Sequence, residues 1–200
     1  GHRIGVAGQV VMDGGKVLSL SNIYFLNIRV AREKRGCAKD IIPYLIHRNN
    51  IYNTLFVSPP GIGKTTYLRD AIRILSNGSD RLHGMKISII DERSEIAACR
   101  QGIPQNDVGC RTDVLDACPK AEGMMMLIRS MAPEVVAVDE IGGENDLEAL
   151  RYVMNCGCRI LATVHGNSME DIREKPGLSS FLQEKRFERY VVLGNRRGPG

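Results

Sequence analysis

Apolar positions along the chain follow two different rhythms. Up to residue 31 they form short stretches, "IGVAGQVVM", "KVLSLSNI" and "FLNIRVA", with a turn composition at Asp13-Gly14-Gly15 between the first two. This reads as a small antiparallel β unit with too little apolar area to stand alone, expected to pack on the remainder of the chain as the end of a larger N-terminal domain. After the charged link "REKRG", residues 37–48 set Ile41, Ile42, Leu45 and Ile46 on one face and predict a helix. From there strands and helices alternate. Strand-like "NTLFV" precedes a helix carrying Leu68, Ala71, Ile72 and Leu75; then come "KISIID", helical "AEGMMMLIRSM" and "EVVAVDEI". A helix with Leu147, Leu150, Val153 and Met154 leads to "RILATVHG", and a short helical region from Ser179 precedes "RYVVLG". Near-continuous apolar strands separated by helices predict an α/β fold whose parallel sheet is covered on both faces. The expected division is an incomplete β unit over residues 1–36 and an α/β domain over 37–200. No internal repeat or low-complexity tract interrupts it.

Composition changes this picture little. Two hundred residues, 43% of them hydrophobic, supply a sizeable core without staples. The net charge of +4, from 27 basic and 23 acidic residues, gives no warrant for a nucleic-acid or anionic-membrane surface. Six cysteines scattered through a domain of this size suit buried thiols in a reducing cytosol, and Cys156-Gly157-Cys158 is too closely spaced for a zinc knuckle. No run approaches eighteen apolar residues and the start is unlike a signal peptide, so a soluble chain is expected. It opens on Gly1, as expected of a fragment or processed chain.

Chemistry enters at the break after "NTLFV". Ser58-Pro59-Pro60-Gly61-Ile62-Gly63-Lys64-Thr65 resembles the Walker A loop and lies where that motif belongs, between a strand and a helix. Gly61 and Gly63 let successive N–H groups turn toward phosphate oxygens, Lys64 would reach the β- and γ-phosphates, and Thr65 would bind Mg²⁺ through its hydroxyl. Thr66 is placed to contact the α-phosphate. The motif expects glycine where Ser58 stands.

A second piece lies 74 residues beyond Thr65, where Val135 to Val138 run into Asp139 and Glu140. A buried strand that delivers carboxylates to the sheet's carboxyl edge suits Asp139 to the Mg²⁺ hydration shell and Glu140 to polarising water. Asp91, Glu92 and Glu95 end the intervening strand with Arg93 and Arg100 among them, and His165 ends "RILATVH", where imidazole could touch the γ-phosphate. Arg111, Arg129 and Arg196-Arg197 are candidates to neutralise transition-state charge, in cis or across a subunit boundary. Met124-Met125-Met126 reads most simply as a buried helix face.

Taken together, "GHRIGVAG", "NIRVARE", "PPGIGKTT", "IIDERSEIAA", "CRTDVLDACPKAEGMMMLIRSMAPEVVAVDEIG" and "ATVHG" closely resemble the stage III sporulation protein AA family of endospore-forming bacteria. That resemblance covers essentially the whole chain. It implies a RecA-like P-loop ATPase core related to the motors of type II and type IV secretion systems and type IV pili, using ATP and Mg²⁺. It further implies a hexameric ring at the cytoplasmic face of the membrane channel joining mother cell and forespore, engaging an integral membrane protein. Carried across by residue, Lys64 and Thr65 become the nucleotide and Mg²⁺ contacts and Asp139/Glu140 the Walker B pair. Asp91-Glu92 matches the Asp box of the secretion motors and His165 their His box, so Glu92 rivals Glu140 as the residue that orients water. The family carries more N-terminal sequence than this chain, and ring assembly is expected to suffer for it. The alternative is a nucleotide-dependent switch that recruits a membrane partner or binds single-stranded nucleic acid. Against the nucleic-acid form, aromatics are 5% of residues and no basic segment is interleaved with them.

Overall fold

The computed structural model describes residues 2–30, 32–79 and 82–194. It divides into two units, Gly1–Glu33 and Lys34–Gly200.

The first unit is an antiparallel ribbon of β1 (Arg3–Asp13) and β2 (Lys16–Arg29), turned by Gly14 and Gly15 at φ 52 and 79. Both corner positions need positive φ, which glycine adopts without strain. The sequence suggested two strands after this turn. Instead they run on as one, because 14 residues of β2 pair with 11 of β1 through three register shifts that absorb the surplus as bulges. Gly8 sits at one shift, where a Cβ would lie 1.7 Å from the Asn22 carbonyl oxygen.

The second unit opens with α1 (Ile42–Leu45), much shorter than the helix expected over 37–48. Pro43 lacks an N–H and suits only a first turn, so the helix starts beside it. At the other end the chain becomes extended: β3 (Ile46–His47) folds back on β4 (Asn50–Ile51), with Arg48 at φ 55 in the bend. The apolar face survives this change, since Ile42 and Leu45 are buried and Ile41 and Ile46 pack against the same cluster.

The rest is an alternating α/β domain. In chain order it runs β5 (Thr54–Ser58), α2 (Lys64–Asn77), β6 (Ile87–Asp91), β7 (Thr112–Asp116), α3 (Lys120–Met131), β8 (Val135–Val138), α4 (Glu144–Asn155), β9 (Arg159–His165), α5 (Met169–Arg173), α6 (Leu178–Gln183) and β10 (Arg189–Val192). Six parallel strands are ordered β10-β5-β9-β8-β6-β7. Successive residues of each strand face opposite ways, so Phe56, Ile87, Ile89, Val135 and Ala137 pack with Leu68, Ile72 and Leu75 of α2. Leu55, Val57, Ile90, Val136 and Val138 pack on the other face with Met124 of α3 and Leu147, Leu150 and Val153 of α4. Two cores, one on each face, explain why the central strands read as unbroken apolar runs. The sequence pattern did not reveal β7 or α5. β7 is an edge strand, half-buried throughout as "TDVLD", and α5 has only five residues.

Strand order fixes the site. β9 lies between β5 and β8, and registers of Ser58 with His165, Ala162 with Val138, and Val138 with Ile90 bring four carboxyl ends into one line. Residues far apart in sequence therefore finish side by side at the edge where α/β sheets bind ligands.

Candidate functional site

The connection from β5 to α2 is built for close approach. Gly61 and Gly63 have φ 80 and 105, and a Cβ at either would meet no atom closer than 4.0 Å. Backbone conformation therefore demands glycine here, and the space above the loop is open. No side chain caps α2, so its first-turn N–H groups are presented to whatever lies in front of them. Ser58, at the position where glycine was expected, is fully buried and donates its hydroxyl to the Pro59 carbonyl at 2.7 Å. That local bond lets a serine occupy the start of the loop.

Two distant segments converge on Lys64 and Thr65. Lys64 is 6% exposed, and its Nζ donates to Glu140 Oε1 at 2.8 Å and lies 3.4 Å from His165 Nε2. The Thr65 hydroxyl donates to Asp139 Oδ2 at 2.7 Å. His165 Nε2 also stands 2.9 Å from Glu140 Oε1, and its Nδ1 is buried with no hydrogen-bond partner among the described residues. Burial pushes the Glu140 carboxyl up, but the hydrogen bond and charge of Lys64, followed by His165 and Arg93, outweigh it and hold the group below the usual glutamate range. Glu140 is thus a carboxylate at neutral pH.

Thr163 organises this pair and was not singled out in the sequence. Wholly buried on β9, it donates its hydroxyl to Asp139 Oδ1 and accepts from the Glu140 N–H at 2.8 Å. Its carbonyl accepts from the Ile141 N–H at 2.9 Å. Glu140 itself has φ 53, a left-handed conformation that non-glycine residues seldom adopt, and these bonds hold it there. Beyond His165, Gly166 leaves no room for a side chain, since a Cβ would lie 2.5 Å from Ile172 Cγ2.

The acidic residues after β6 separate into different jobs. Asp91 is buried and its carboxylate accepts from the N–H groups of Glu95 at 2.8 Å, Ile96 at 3.0 Å and Ala97 at 2.8 Å, folding the loop around itself. Burial nevertheless raises its proton affinity above the ordinary aspartate value. Glu92 instead faces the cavity beside Asp139 and Glu140, and the amine of Lys120 pairs with its Oε2. Arg93 crosses to Glu140 Oε2 at 2.7 Å. From α2, buried Arg69 donates to the carbonyls of Ile96 at 2.5 Å and Glu95 at 2.6 Å, tying this loop to the helix that starts at the glycine loop. Arg69 and Lys120 carry no motif. A buried charge inside an otherwise apolar helical pattern, as at Arg69, was the available signal.

Other candidates lie elsewhere. Arg111 immediately precedes β7, at the opposite edge of the sheet. Arg129 sits in the last turn of α3, where it lines a surface groove with Met125, Met126 and Tyr152 rather than the glycine loop of its own chain. Arg196-Arg197 lies outside the described residues. Within the methionine run, Met124 is buried while Met126 is 55% exposed, so only part of that run is core. All six cysteines are free thiols, exposed or half-buried; the expected buried thiols are corrected, since none is fully enclosed.

Comparison with known proteins accords with this geometry. The sequence profile of sporulation stage III, protein AA matches residues 1–200. Stage III sporulation protein AA of Bacillus subtilis is 48% identical over 200 residues, all of this chain and 65% of that protein's length. Among solved structures, the Legionella pneumophila ATPase DotB superposes with TM-score 0.59 at 17% identity over 85% of this chain and 44% of its own. The pilus retraction motor PilT with bound ADP gives 0.60 at 14% identity over 96% and 58%. At such identities the likeness is one of fold alone, a parallel α/β sheet flanked by helices. The chain belongs to the sporulation stage III protein AA family.

Proposed function

We propose that this chain binds Mg-ATP on residues 58–66 and hydrolyses it, and that hydrolysis drives motion in a membrane-associated, secretion-like channel during endospore formation. The observation that carries the reading is the meeting of Lys64, Thr65, Asp139, Glu140 and His165 within hydrogen-bonding distance, although 74 to 101 residues of sequence separate Lys64 and Thr65 from their partners. Family membership supports the sporulation role. The fold shared with DotB and PilT supports a nucleotide-driven one.

Each residue has a task in this reading. Gly61, Gly63 and the uncapped first turn of α2, with Pro59, Pro60, Ile62 and Thr66 shaping the loop, offer N–H groups to the phosphates. Lys64 binds the β- and γ-phosphates, and His165 reports on the terminal one. Thr65 and Asp139 suit Mg²⁺: their hard oxygens lie 2.7 Å apart, and no group of three or more His, Cys, Asp or Glu side chains among the described residues forms a metal cage. Magnesium bound there with phosphate and water oxygens would offset the charge of the triphosphate. Glu140 orients the attacking water. Glu92, paired with Lys120 in the adjoining cavity, holds the second position from which water can be approached.

The working form in this reading is a homo-oligomer, a hexameric ring on the cytoplasmic, mother-cell face of the membrane, engaging an integral membrane protein. No helix among the described residues is long and apolar enough to cross a membrane, which suits a peripheral place. Arg129, remote from the loop of its own chain, is the arginine offered to a neighbour's phosphates. Replacing Lys64 with alanine tests the foundation. Isothermal calorimetry should show ATP affinity falling by about a hundredfold or more, since a charge-assisted contact to phosphate is lost. Unchanged affinity would remove the phosphate loop from the mechanism.

A further inference from the structure

Nitrogen groups from three separate segments converge on the single carboxylate of Glu140. Lys64 Nζ stands 2.8 Å and His165 Nε2 2.9 Å from Oε1, while Arg93 Nη1 stands 2.7 Å from Oε2. Lysine and arginine alone bring two positive charges to one negative charge. The neighbouring acids are already committed: Asp91 to backbone amides, Glu92 to Lys120, and Asp139 to the hydroxyls of Thr65 and Thr163. An anion with more charge and more oxygens than a carboxylate would satisfy the same three donors more fully. Lys64 opens α2 at the end of the glycine loop, so a phosphate chain laid along that loop points its terminal group at this cluster.

We infer that Arg93 is a ligand of the terminal phosphate of ATP, and that the Glu140 carboxylate stands in for that phosphate until nucleotide arrives. This rests on the nucleotide reading above and adds a residue and an exchange to it. Arg93 lies outside the glycine loop, follows β6, and is half exposed with its guanidinium turned to Glu140. A planar fork of N–H donors matches phosphate oxygens, and a side chain this free of packing can follow the ligand. On arrival of ATP, Lys64, Arg93 and His165 pass from carboxylate to phosphate. Glu140 is then released from its cation contacts, which frees its carboxylate oxygens to accept a hydrogen bond from water. The backbone bonds of Thr163 keep residue 140 in place while its side chain moves. ADP lacks the group that Arg93 recognises, so Arg93 is also a determinant of selectivity for triphosphate over diphosphate.

The test is calorimetric titration of the full chain with Mg²⁺ and either a non-hydrolysable ATP analogue or ADP. Three variants, R93A, R93K and E140Q, are compared with wild type. In R93A the preference for the triphosphate analogue over ADP should fall about tenfold, the loss of one charged hydrogen-bond donor, with thermal melting unchanged. R93K should recover part of it. E140Q, which keeps the shape but removes the competing charge, should bind the analogue more tightly than wild type. An unaltered triphosphate-to-diphosphate ratio in R93A, with wild type binding both, overturns the role of Arg93 while leaving the nucleotide site standing. Weaker analogue binding by E140Q overturns the stand-in role of its carboxylate. If wild type binds neither nucleotide, the site reading and this inference fall together.

Discussion

The hydroxyl of Thr163 has two partners on the loop leaving β8, and both belong to the site: the Asp139 carboxylate and the Glu140 N–H. Exchanging it for valine preserves shape and removes both bonds, leaving a half-buried carboxylate oxygen and a left-handed N–H without these partners. Such losses cost about 1–3 kcal/mol each when uncompensated. Thr163→Val is therefore expected to lower stability in urea denaturation by about 2 kcal/mol and, on the proposed function, to raise the Mg²⁺ concentration needed for half-maximal ATP hydrolysis. Thr163→Ser, which retains the hydroxyl, should restore the Mg²⁺ dependence. A variant that merely loosened the core would shift stability and leave the metal requirement alone. Single atoms decide matters at Ser58 too, whose hydroxyl closes onto Pro59 and so tolerates a position where the loop pattern expects glycine.

Among the elements, α3 matters because its first residue, Lys120, holds Glu92, and its approach to the sheet is set by Gly123. A Cβ on Gly123 would lie 2.8 Å from Ile90 Cγ2 and 3.2 Å from Leu115 Cδ2. Ile90 is 1% exposed and β-branched, so it has little freedom to yield. Gly123→Ala gains roughly 1 kcal/mol of helix propensity but loses about 1–3 kcal/mol to overpacking. The expected net is a melting temperature lower by about 2–4 °C, with α3 displaced from β6. A rise in melting temperature would show that the helix accommodates the methyl group. The loop after β6 is fixed from the other side of the sheet by Arg69 of α2. The loop that carries Glu92 is thus anchored from both faces of the sheet, by Lys120 of α3 and Arg69 of α2.

At the scale of the whole molecule, the α/β unit contains the complete set of side chains that converge on Lys64, whereas the β1–β2 ribbon is a two-stranded piece with Ile4, Phe25 and Leu26 exposed. The chain spans 65% of the length of its Bacillus subtilis relative. If an arginine from an adjacent copy completes the site, turnover per subunit should climb with protein concentration, in step with particle mass measured on the same samples. A rate independent of concentration would mark the domain as self-contained. Local sequence was enough for the alternating α/β class, the glycine loop before α2 and the carboxylates at the end of β8. These depend on local periodicity and on backbone conformations that particular residues dictate within a few positions, as with Gly61 and Gly63. It also overextended the helix at 37–48, and it passed over β7, an edge strand whose half-buried residues give only a weak apolar signal. Tertiary structure alone decided that β9 lies between β5 and β8. That order set Thr163 against Asp139 and gathered Lys64, Arg93 and His165 around Glu140. Charges meet across strand order and register, and the periodicity of a single strand carries no record of its neighbour.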